Sequence, residues 1–70
     1  MNIYDAGQFG QLLKERRKKL HYTQAYLSEV TGFSASFISE VENGKPTAEI
    51  GRVIQLANSL GLDVRIEERP

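Results

Sequence analysis

A mainly α fold is predicted: four helices, then one short strand that pairs with its own copy across a homodimer. Three observations carry it. Apolar residues recur at helical spacing in four stretches, glycines and capping hydroxyls punctuate the ends of those stretches, and the period changes to two after Gly61. Seventy residues make one domain, 1–70, and a domain of that size buries too little surface to be comfortably stable alone. Burial against a partner subunit is therefore expected. No cysteine is present, so neither disulfides nor thiolate metal sites can supply stability.

The first helix is expected over residues 6–20, with Phe9, Leu12, Leu13 and Leu20 as its apolar positions and the Lys/Arg run facing water. That basic last turn also suits the negative end of the helix dipole. Gly7 and Gly10 are read as flanking this helix, and His21 as a turn residue. Thr23 is a plain N-cap for a second helix over 24–31, since Tyr26 stands where a capping box has Glu or Gln. Ala25, Tyr26, Leu27 and Val30 give that helix an apolar stripe, and Gly32 can take the left-handed conformation that ends it. Ser34 caps a third helix over 35–42, with Phe37, Ile38 and Val41 on one face; Asn43-Gly44 stops it and Pro46 forbids continuation. Two short helices joined by a glycine turn, residues 23–43, are the arrangement that lays a helix in the DNA major groove.

A fourth helix begins after Thr47, with Ile50, Val53, Ile54, Ala57 and Leu60 at helical spacing and Gly61 past its end. Over 62–68, Leu62, Val64 and Ile66 alternate with Asp63, Arg65 and Glu67, the pattern of a strand with one apolar face. A lone strand cannot bond to itself. Its open edge is a template for pairing across a twofold axis, which is favoured over a frayed tail because small domains need subunit burial.

Net charge is zero but unevenly placed. Residues 1–22 hold Lys14, Arg16, Arg17, Lys18 and Lys19 against Asp5 and Glu15, whereas residues 23–44 hold Glu29, Glu40 and Glu42 with no cation at all. An acidic reading unit counts against simple DNA binding, because non-specific affinity comes from cations that replace counterions on phosphate. A dimer presenting two basic edges would offset this. Catalysis is poorly supported: one histidine, no cysteine and scattered acids give no nucleophile-base pair or metal-ligand spacing, so neither an enzyme nor a cofactor or metal is expected. No secretory leader or membrane-length apolar run is visible, which makes a cytoplasmic location the expectation.

The motifs T-Q-x-x-L-S, G-x-S-x-x-x-I-S and E-N-G-K-P resemble those of the Xre/Cro/phage-repressor family of helix-turn-helix proteins. The basic KERRKKL before them and the LDVRIEE strand after them are similar to HipB-type antitoxins. The resemblance implies a homodimeric repressor that binds inverted-repeat operator DNA, regulates its own operon and also binds a kinase-fold toxin of the HipA type. It implies phosphate contacts from Gln24, Asn43 and Lys45, and base contacts from Ser34, Ala35, Ser36, Ser39 and Glu40. Hydroxyls discriminate weakly, and Glu40 either accepts from a cytosine amino group or repels phosphate. Arg52 is a further phosphate candidate. The family pattern pairs Glu42 with Arg17 as a structural ion pair. Two other functions stay open: a regulator of the same fold without a toxin, and an adaptor that has lost DNA binding.

Overall fold

A computed structural model describes residues 2–70. Four helices follow one another: α1 (Ala6–Lys19), α2 (Gln24–Thr31), α3 (Ala35–Glu42) and α4 (Ile50–Ser59). Each begins on a side chain that accepts from an otherwise orphaned amide. Asp5 accepts from Gln8 N, Thr23 from Tyr26 N, Ser34 from Phe37 N, and Glu49 from both Gly51 N and Arg52 N. α4 therefore starts at Ile50, two residues past a start directly after Thr47, because Glu49 supplies the cap.

Three of the four helix ends share one device. Past α3, Gly44 N donates to Val41 O and Lys45 N to Glu40 O; past α4, Gly61 N donates to Asn58 O and Leu62 N to Ala57 O. Both are Schellman closures with glycine left-handed at φ 82° and 74°. α1 closes the same way, through His21 N to Lys18 O and Tyr22 N to Arg17 O, but with His21 at φ 62° in the glycine position.

α3 packs against both α1 and α2. Leu13, Leu27, Ile38, Leu56 and Leu60 are fully buried, with Val41 and Ala57 beside them; each of the large side chains contributes about 1.5–3 kcal/mol of transfer free energy. The apolar stripes are narrower than periodicity suggests. Only Leu27 of the α2 stripe is buried, while Val30 and Tyr26 are exposed. On α4 the buried face is Leu56 and Ala57, and Ile50 is exposed, on the rim of a shallow groove with Ile3, Phe9, Pro46 and Val53. The first turn of α4 meets the core only through Val53.

Gly7 and Gly10 lie inside α1, not at its flanks. Gly10 is buried where α1 crosses the end of α3, and a Cβ there would stand 2.1 Å from Val41 O. No side chain fits between those backbones. Residues 62–70 are irregular in the single chain, with Val64 and Ile66 exposed. A strand is defined by its ladder, and one chain offers these residues no partner. Among the described residues no helix is long and apolar enough to cross a membrane.

Candidate nucleic-acid interface

The turn between α2 and α3 is held by its own side chains. Ser28 Oγ donates to Phe33 O at 2.6 Å, Thr31 Oγ1 donates to Leu27 O at 2.6 Å and accepts from Phe33 N at 3.2 Å. Gly32, at φ 79°, has open space where a Cβ would go, so it is the left-handed backbone conformation, not crowding, that favours glycine there. These bonds fix where α3 starts relative to α2.

Away from the turn, where the last residue of α3 meets α1 and the first residue of α2, lies the Arg17–Glu42 pair, buried on both sides. Arg17 Nε donates to Glu42 Oε2 at 2.7 Å and Nη2 to Oε1 at 2.9 Å, a bidentate fork, while Nη1 donates to Tyr22 O at 2.8 Å. The hydrogen bond to Glu42 raises the Arg17 pKa above its ordinary value; burial works against this, and the Coulombic attraction of Glu42 adds to it. Gln24 joins the same carboxylate, its Nε2 donating to Glu42 Oε1 at 3.1 Å. One acid on α3 thus ties down α1 and the first residue of α2.

On the outer surface, Ser34, Ala35, Ser36 and Glu40 are exposed and Ser39 is half-buried. Small side chains over the first turn of α3 leave its backbone open to approach, and its N-terminus carries the positive end of the helix dipole. Ser34 Oγ is already engaged as the cap, so what it offers a ligand is chiefly its hydroxyl proton. Ser39 Oγ accepts from Asn43 Nδ2 at 3.3 Å, and Lys45 Nζ meets Glu40 Oε2 at 2.8 Å. The candidate base-facing and phosphate-facing residues thus interlock in pairs at the end of α3.

Two cations have partners within the chain, and for Arg16 this replaces the water that its run was expected to face. Arg16 Nε donates to Leu60 O at 2.8 Å and closes the C-terminus of α4, with a partner too remote in sequence for any local signal. Arg52 lies over the rings of Phe33 and Phe37, 5.4 and 4.9 Å from their centroids, within cation–π range. That stack places a guanidinium beside the α2–α3 turn. Thr31 and Phe33 escape a motif-based reading, and the motif that contains Ser28 does not state its role, because all three act through the turn's backbone geometry.

The four-helix arrangement with this turn defines a helix-turn-helix protein of the Xre/Cro type. The helix-turn-helix family model matches residues 13–66, most of the chain, and the chain belongs to that family. It is 40% identical over 64 residues to an uncharacterized HTH-type transcriptional regulator, y4mF, of Sinorhizobium fredii, covering 91% of this chain and 84% of that one. A second relative is the ImmF control region 10 kDa protein of Bacillus phage phi105, 27% identical over 64 residues, with 91% of this chain and 71% of that protein covered. Among solved structures, HipB in its O4 20mer complex superposes with a TM-score of 0.89 at 23% identity, covering 100% of this chain and 99% of that chain. The HipA–HipB–O2–O3 complex gives 0.90 at 23% identity, with the same coverage. The shared feature is the fold, and its match runs through the tail after α4.

Proposed function

We propose that the chain is a homodimeric, sequence-specific DNA-binding repressor and the antitoxin of a HipBA-like operon, which it autoregulates from the cytoplasm. The observation that carries this is the exposed small-residue first turn of α3, held at its start by the side-chain bonds of Ser28 and Thr31 and at the other end of α3 by the Gln24–Glu42 hydrogen bond. Such a turn enters the major groove, with Ser34, Ala35, Ser36 and Ser39 toward base edges. Gln24 donates its remaining amide proton to a phosphate at the N-terminus of α2, and Asn43, Lys45 and Arg52 meet the flanking backbone. The identity of 40% to an HTH-type transcriptional regulator supports the regulatory role.

The tail supplies the second copy. Val64 and Ile66 stand exposed in the single chain, and pairing residues 62–68 with their symmetry mate covers them. Doubling weak contacts on two half-sites then offsets the scarcity of cations near α3. The second partner is a kinase-fold toxin, a reading supported by the fold match to HipB in a complex with HipA.

Footprinting of the chain's own upstream DNA at low salt tests the repressor reading. Two protected half-sites in inverted repeat are expected, centred about one helical turn or a multiple apart, with affinity falling steeply as salt rises. Absence of a protected palindrome sinks it. Copurification with the product of an adjacent kinase-like gene tests the toxin; a neighbourhood without such a gene leaves a stand-alone regulator.

A further inference from the structure

We infer that Glu40 attenuates this interface by holding the Lys45 ammonium away from phosphate, an inference that rests on the DNA-binding reading. Lys45 is the only Lys or Arg between Lys19 and Arg52, so it is the one cation that the segment after α3 offers a polyanion. Its Nζ lies 2.8 Å from Glu40 Oε2. The pairing is built into the fold: the closure at Gly44 turns the chain back so that Lys45 N also donates to Glu40 O at 3.0 Å. Backbone and side chains of the same two residues therefore meet.

Both side chains are close to half exposed, 47% for Lys45 and 45% for Glu40. Water screens a pair of that kind, which leaves it little part in stability and makes it readily exchangeable. A phosphate reaching Lys45 must displace the carboxylate, and the displaced carboxylate remains beside the polyanion. Glu40 is thus an internal competitor for the one cation of the loop. Lys45 engages Oε2 alone, which leaves Oε1 as an acceptor, so the reading of a cytosine amino group is the rival role that the test below separates.

The test is a double-mutant cycle read by DNA affinity. Wild type, Glu40→Gln, Lys45→Ala and the double variant are titrated with the operator duplex and with an unrelated duplex over a range of salt. From the strength of an exposed ion pair, Glu40→Gln should tighten binding about threefold per half-site, about tenfold for a dimer. The gain should be equal on both duplexes, because it arises at phosphate, and the salt dependence should steepen. In the Lys45→Ala background the gain should collapse to about twofold or less, the remainder being plain repulsion. Urea midpoints of all four proteins serve as the folding control.

Three results overturn the inference: Glu40→Gln binding no tighter than wild type, an undiminished gain without Lys45, or a loss confined to operators carrying one particular base pair. The last would make Glu40 a reader of cytosine. Failure of wild type and every variant to bind either duplex would instead remove the DNA-binding reading itself, and this inference with it.

Discussion

His21 closes α1 in a left-handed conformation that glycine serves at the ends of α2, α3 and α4. The Cβ penalty there exceeds the entropy glycine loses on folding. His21→Gly should therefore raise stability by about 0.5–1 kcal/mol, seen as a higher urea midpoint; an unchanged or lower midpoint would show that the imidazole makes a compensating contact. Arg17 presents a different constraint, since three of its nitrogens are committed. Arg17→Lys keeps the charge but loses the fork, and a cost of about 2 kcal/mol is expected in the same measurement. Because the folded-state pKa of Arg17 is raised, its protonation supports the fold below the ordinary arginine value and is lost only as pH climbs through the higher folded value. Between about pH 5 and pH 9 this group should add no slope to stability. At this scale, caps such as Thr23 and Ser34 are legible in the sequence because their partners lie three residues away. Arg16 is not, because its acceptor lies 44 residues along the chain.

The crossing of α1 over α3 is set by Gly10. Helix propensity alone says that Gly10→Ala stabilises by about 1 kcal/mol. Contact says the reverse, since the new Cβ would meet Val41 O at 2.1 Å and Glu42 O at 2.8 Å. Backbone carbonyls cannot swing aside as a side chain can, so a net loss of about 3 kcal/mol is expected in thermal unfolding. A raised melting temperature would mean that the helices separate without cost. α2 and α3 can be bounded from sequence because hydroxyl caps and glycine stops bracket both. The start of α4 cannot be placed so well: its cap is a glutamate, a residue that ordinarily reads as surface charge. Nor does the period reveal that Ile50 and Val30 face outward, since spacing gives the direction of a side chain and not what lies opposite it.

For the whole molecule, the decisive quantity is how many copies stand together. Val64→Pro removes a ladder donor from residues 62–68 and should shift the protein toward monomer in sedimentation, with operator affinity falling because two half-sites are no longer read at once. An unaltered dimer would take the tail out of the interface. The alternation that suggests a strand is plain in the sequence, yet a ladder belongs to two chains and a single sequence records only one edge. The candidate site is legible in a similar, partial way. Its exposed serines follow from the motif, whereas the pairing of Lys45 with Glu40 depends on a backward turn that no period encodes. The Glu42 carboxylate has the widest reach, because it receives Arg17 of α1 and Gln24 of α2 while belonging to α3. A genetic screen for lost repression would recover substitutions of Glu42 beside those of Ser36, although a buried acid never meets an operator. Temperature would separate the two classes: alleles at Glu42 should regain repression in the cold, and alleles at Ser36 should be blind to it.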